Sequence, residues 1–251
     1  MRVSVELIPR SEDDLAEQLA DVARLRRVDT INLPDLTRFP YRSWDACRQV
    51  ARAGYRTVAH VRAIDVAMHR PLPFEEALHD GTLHEVLVVA GDAPADMSRE
   101  VHPTTSIRLI ERIVREAPHV TVHAALDPYR QSFASELDYV RRKVDAGASG
   151  MFTQPFFDVR LLGIWADALS ELPVRRFWGA TSVTSQRSAR YWTTRNGAVL
   201  PATFVATLDH SKRLAREIFD VATVLGDDVY FMPIRASCKD YLGDVLEASS
   251  T

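Results

Sequence analysis

At 251 residues, with 46% apolar and 26% charged positions, the chain has the composition of a folded globular protein, neither disordered nor membrane-embedded. Its 31 Lys and Arg residues against 34 Asp and Glu leave a net charge of −3, which gives no electrostatic footprint for nucleic acid or an anionic membrane surface. A chain of this length buries enough apolar surface to fold without a staple, and the length favours one large α/β unit over two average domains. Cys47 and Cys238 are the only cysteines, and with no Cys-x-x-Cys or Cys/His cluster neither a structural zinc nor a disulfide framework is expected. The opening Met1-Arg-Val-Ser-Val-Glu6 lacks the apolar core of a signal peptide, and no apolar run approaches the ~20 residues of a membrane span. A cytoplasmic protein is the expectation.

In chain order, short β-branched runs alternate with amphipathic stretches. Val3–Ile8 reads as a strand, Glu12–Leu25 as a helix, Asp29–Leu33 as a strand and Ser43–Ala53 as a helix. Arg56–Ala63 is a third strand, Phe74–His79 a short helix, and His84–Ala90 the clearest strand. The helix that follows places Ile107, Ile110, Ile113, Val114 and Ala117 on one face. Val120–Leu126, Gly150–Gln154 and Val174–Thr181 continue the strands, separated by helices over Phe133–Ala146 and Val159–Leu172. Two helices, Ser185–Thr194 and Thr203–Leu225, precede an eighth strand at Asp228–Ile234, and Lys239–Ala248 closes the chain. Eight βα units with short connections and no linker or repeat predict a single-domain α/β (β/α)8 TIM barrel over 1–251, with an extra helix before the last strand. An open doubly wound sheet is the competing architecture.

Chemistry in such a barrel gathers where strands end. Glu6 shares a face of the first strand with Ser4, and burying its carboxylate without a partner is costly; pairing with a barrel Arg or Lys is its plain structural role. Asp92 follows Ala90-Gly91 at the end of the fourth strand, where Gly permits close approach and Asp serves either a turn or a ligand. Gln154 ends the sixth strand and can both donate and accept, as the edge of a heterocycle requires; a satisfied buried amide is the alternative. His60 and Arg62 on the third strand are weaker candidates, and the Phe156–Phe157 pair reads as core. No Gly-x-Gly-x-x-Gly, Walker or Gly-x-Ser-x-Gly motif occurs, so a nicotinamide nucleotide would bind without a Rossmann fingerprint. The residues alone lead to a barrel mouth with Glu6, Asp92 and Gln154, and not to a substrate.

The same residues carry a family resemblance. Val5-Glu-Leu-Ile-Pro9, Val88-Val-Ala-Gly-Asp92, and Arg142-Lys-Val-Asp-Ala-Gly-Ala148 with Thr153-Gln-Pro-Phe-Phe-Asp158 resemble, in order, segments of the methylenetetrahydrofolate reductases. Phe231-Met-Pro-Ile-Arg235 resembles the family's last strand. The resemblance implies a barrel enzyme that reduces 5,10-methylenetetrahydrofolate to 5-methyltetrahydrofolate with NADH or NADPH. It implies Glu6 and Asp92 as catalytic residues, Gln154, Asp92 and Arg235 as substrate-binding residues, and His60 and Lys143 as cofactor contacts.

The departures from the family concern FAD. Ala90 stands where flavin-carrying members have Arg before Gly-Asp. Asn32-Leu-Pro-Asp-Leu-Thr37 replaces a Thr-Tyr-Gly segment, His102-Pro103 a Tyr-Ala pair, and Asp127-Pro-Tyr-Arg130 a His-containing loop. Loss of a phosphate-pairing Arg and several ring contacts weakens flavin binding, so direct hydride transfer from nicotinamide to folate is expected, with an ordinary FAD-dependent reductase as the alternative. A tetrahydrofolate-dependent methyltransferase or demethylase, or a non-catalytic partner subunit, would be readings of another class; joint retention of Glu6, Asp92 and Gln154 argues against the subunit.

Overall fold

The computed structural model describes residues 1–93 and 99–247. Eight parallel strands close on themselves in sequence order: β1 (Val3–Glu6), β2 (Thr30–Leu33), β3 (Arg56–Arg62), β4 (Glu85–Val89), β5 (Thr121–Leu126), β6 (Gly150–Pro155), β7 (Arg175–Thr181) and β8 (Asp228–Met232). β1 pairs with β8 at Val3↔Val229, which completes the barrel and removes the open-sheet alternative. The helices are α1 (Glu12–Val22), α2 (Ser43–Arg52), α3 (Glu75–His79), α4 (Ser106–Glu116), α5 (Phe133–Asp145), α6 (Val159–Ala168), α7 (Gln186–Arg195), α8 (Leu208–Leu225) and α9 (Cys238–Glu247). The pair α7 and α8 before β8 is the extra helix the sequence predicts.

Element ends differ from the sequence reading for local reasons. The α8 helix starts at Leu208 rather than 203, because the Thr207 hydroxyl accepts from the His210 N–H and sets the N-cap there. The α6 helix stops at Ala168 rather than 172, where the Ser170 hydroxyl turns back to the Asp167 carbonyl at 2.7 Å. On α4, Leu109 lies fully buried beside Ile110 and Ile113, whereas Ile107 is half-buried. Ala248, the predicted end of the last helix, lies outside the described residues.

Alternation along the strands separates two cores. Outward side chains pack under the helices in one continuous shell. Inward ones, Val58, Leu87, Phe152, Phe177, Tyr230 and Met232, fill the lumen, with Phe152 and Phe177 stacked at 3.9 Å between centroids. Ions close the amino-terminal end: Arg2 bonds Glu85 at 2.8 Å, Glu85 bonds His123 at 2.8 Å, and Arg175 bonds Asp228 at 2.9 Å. A plugged lumen and an ion-paired floor leave the carboxyl-terminal mouth as the open end.

Candidate active site

Glu6 is the last residue of β1 and, with Ser4, points into the barrel as period two demands. Its partner is not a cation. The Tyr230 hydroxyl, from the neighbouring β8, donates to Glu6 Oε2. The pairing role expected from the sequence is thus filled by a neutral donor, and burial pushes the Glu6 carboxyl up to about 7 while the tyrosine bond partly offsets this. Beside it runs a second polar chain. The Asn32 side-chain amide donates to Ser4 Oγ, and Asn32 Oδ1 lies 3.0 Å from His60 Nε2. With its amide nitrogen facing Ser4, Asn32 offers an acceptor to His60, so Nε2 carries the imidazole proton. Burial drives His60 down to about 3, so it stays neutral.

Asp92 sits in the loop after β4, exposed, with its backbone carbonyl held at 2.5 Å by Arg62 from the end of β3. Gly91 makes that approach possible. Its φ is +81°, and a Cβ there would lie 2.7 Å from Ile64 Cγ2 and 2.8 Å from Arg62 Nε. Arg62 also reaches Thr37 Oγ1 at 3.2 Å and Asp65 at 3.4 Å, and Arg99 meets Asp65 at 3.2 Å. Arg62 therefore braces the Gly91–Asp92 turn.

Gln154 lies near the end of β6, half-buried, at a break in the β6–β7 register between Phe152 and Pro155. Gly179 on β7 creates that break. A Cβ at 179 would meet the Thr153 carbonyl at 2.5 Å, and its N–H bonds Thr153 Oγ1 at 2.8 Å instead. Phe156 and Phe157 beyond it are buried core, as the sequence suggested. Arg235 follows β8 with φ of 58°, a left-handed backbone uncommon outside Gly. It lines, with Glu6 and Arg38, a cavity of about 840 Å³ between the β1 and β8 loops. The structure thus brings Glu6 and His60 around Tyr230, and Glu6 and Arg235 to one cavity, while no described contact joins Gln154 or Asp92 to them. Lys143 is buried on α5, where its ammonium donates to the Ala125 carbonyl at 2.5 Å and sits 4.1 Å over the Tyr139 ring. Burial lowers its pKa to about 8.

Sequence reasoning missed Tyr230 and Asn32. The signal existed, since Asp228, Tyr230 and Met232 alternate on one face, but the register that sets Tyr230 beside Ser4, with its hydroxyl on Glu6, comes only from closure of the barrel. Among the described residues no group of three or more His, Cys, Asp or Glu could hold a metal, and no helix is long and apolar enough to cross a membrane.

A closed parallel barrel with a buried carboxyl and an imidazole at the carboxyl-terminal ends of its strands belongs to the class of (β/α)8 barrels. Solved structures of oxaloacetate acetylhydrolase share the fold, with TM-scores of 0.55 and 0.57 at 10% identity over 93% and 92% of this chain and 75% of theirs. Within that class, the methylenetetrahydrofolate reductase family model matches residues 4–224, and the chain belongs to that family. The 5,10-methylenetetrahydrofolate reductase of Escherichia coli (strain K12) is 25% identical over 109 residues, 43% of this chain and 37% of that protein. The same-named protein of Buchnera aphidicola subsp. Acyrthosiphon pisum (strain APS) is 23% identical over 120 residues, 47% of this chain and 41% of that one. The aligned stretch thus spans less than half the length of these curated relatives.

Proposed function

We propose that the protein reduces 5,10-methylenetetrahydrofolate to 5-methyltetrahydrofolate, taking hydride directly from NADH or NADPH without a bound flavin. The observation that carries this reading is Glu6: a carboxyl at the barrel mouth that is still half protonated at about pH 7, beside an open cavity. Opening the five-membered ring of the substrate requires a proton on the departing nitrogen, and an acid poised near neutrality is suited to give it. Breaking that C–N bond leaves a cationic iminium carbon, which accepts the hydride. The exposed carboxylate of Asp92, on a turn fixed by Arg62, stabilises that cation. Gln154 orients the pterin by its paired donor and acceptor, and Arg235 takes an anionic part of the substrate. His60 stays neutral and leaves the positive charge to the substrate. Glu6 regains its proton from solvent through the cavity, so one proton and one hydride are consumed per turnover.

On this reading the residues around the β4 loop do not suit a flavin dinucleotide. Ala90 supplies no guanidinium for its diphosphate, Arg62 is packed against Gly91 and engaged by Asp92, Asp65 and Thr37, and the Lys143 ammonium is buried on Ala125. The purified protein should be nearly colourless and should oxidise NAD(P)H when methylenetetrahydrofolate is added. Initial rates should give intersecting double-reciprocal lines, since both substrates occupy the site together. A stoichiometric yellow chromophore or parallel lines would return the chain to a flavin-dependent, ping-pong course.

A further inference from the structure

The Tyr230 hydroxyl points at one carboxyl oxygen of the proposed acid, and that choice has chemical consequences. Tyr230 is buried in the lumen, packed edge-on against Phe152 with centroids 5.3 Å apart, and also edge-on to His60 at 6.4 Å. The ring cannot swing away without opening the plug. Its hydroxyl has one proton to donate, and that proton goes to Glu6 Oε2. With the Tyr230 hydroxyl as donor, Oε2 is the accepting oxygen, and a protonated Glu6 carries its own proton on Oε1. We propose that Tyr230 is a positioning residue for general acid catalysis, fixing the transferable proton on Glu6 Oε1 and stabilising the carboxylate left after transfer. The inference rests on the role given to Glu6 under the proposed function and extends it to a residue on another strand.

The energetics favour the product side of the proton transfer. A hydrogen bond from a phenol to a carboxylate is shorter and about twice as strong as one to a neutral carboxyl. The interaction therefore grows as the proton moves from Oε1 to the departing nitrogen, which is the differential binding that accelerates a step. Atoms balance: the O–H bond of Glu6 breaks, the N–H bond forms, and the tyrosine proton stays on its own oxygen. Tyr230 does not compete as the acid, because burial and the adjoining carboxylate hold its phenol far above the usual range. Other ionisable groups around Glu6 are His60, held neutral, and Arg10, Asp14, Glu17, Asp21, Arg38 and Arg235, which line the same cavity. The Cys238 thiol there is pushed up to about 12 and stays protonated. Tyr230 is the group hydrogen-bonded to the Glu6 side chain among the described residues.

Tyr230→Phe removes one oxygen and keeps the ring that fills the lumen. The expected result is a fall in kcat of about ten- to a hundredfold, the loss of one charge-assisted bond, with KM for the folate within about threefold of wild type. The alkaline limb of the kcat–pH profile should move to higher pH, because the bond that favours ionised Glu6 is gone. A residue that only filled space would leave that limb in place. In a Glu6→Gln background the same change should reduce kcat no further. Stability against pH offers a readout without turnover: the upper edge of the Glu6-dependent loss of stability should move up in Tyr230→Phe. If the stability edge stays fixed, the Tyr230–Glu6 coupling is overturned. If it moves while kcat and its alkaline limb do not, the coupling holds outside catalysis, and the assignment of Glu6 as the acid fails with the positioning role.

Discussion

Replacing Glu6 with Gln should make the protein more stable at alkaline pH while disabling it. Gln keeps the shape and still accepts from the Tyr230 hydroxyl, so packing in the lumen is retained. What changes is ionisation. Glu6 titrates at about 7 in the fold against 4.5 when exposed. Between those values the native state holds more protons than the unfolded chain, so stability falls as pH rises through the window and the loss is complete above about 7. From about pH 5 to about pH 8, that pair of constants gives a loss of roughly 2–3 kcal/mol in the wild type, absent in Glu6→Gln. Urea unfolding of both proteins at several pH values, with equal m-values, measures the difference directly, because the other titrating groups are common to both and cancel. The variant should gain roughly 2–3 kcal/mol on the wild type across that range and lose roughly 10²–10⁴-fold in turnover. A difference in stability that stays constant with pH would mean that Glu6 ionises like an exposed carboxyl, and the argument for a neutral-pH acid at the mouth would fail.

Three further changes separate the other roles. Asp92→Asn removes the charge opposite the iminium while keeping the turn, so kcat should fall by at least tenfold with folate KM little changed in steady-state kinetics; a pure KM effect would reassign it to binding. Gln154→Ala should weaken folate binding by about 1–2 kcal/mol, measurable by calorimetry, since it removes a neutral donor and acceptor pair; unchanged affinity would contradict its contact with the pterin. Gly91→Ala forces a Cβ into Ile64 and Arg62 at a φ of +81°, so it should cost about 1–3 kcal/mol in chemical denaturation and lower turnover by displacing Asp92. Wild-type stability in that variant would mean that the turn is not held as described.

The barrel was legible in the chain because alternation of β-branched runs with amphipathic helices repeats eight times, and each strand lies within a residue or two of its expected place. Helix ends were less legible, since they depend on single hydrogen bonds such as those of Thr207 and Ser170. Of the mouth residues, Glu6 and Gln154 could be placed by counting along their own strands. The environment of Glu6 could not. Its partner is 224 residues away, and only the pairing of β1 with β8 reveals that a tyrosine rather than a cation faces it. Lys143 is a similar case: its motif is visible in the sequence, whereas its burial against Ala125 and Tyr139 is a tertiary fact with no local signature. The register break that sets Gln154 likewise follows from Gly179 on a neighbouring strand, not from the sequence around Gln154 itself.

The most direct test of the account is to trace the hydride. NADH or NADPH carrying deuterium at the transferred position of C4 is mixed with methylenetetrahydrofolate and the protein in ordinary water, and the methyl group of the product is analysed by mass spectrometry. Direct transfer from carbon to carbon exposes the label to no exchangeable site, so each methyl group formed should carry one deuterium. Passage through a reduced flavin would place it on nitrogen, where water exchanges it; a methyl group largely stripped of deuterium would contradict the account.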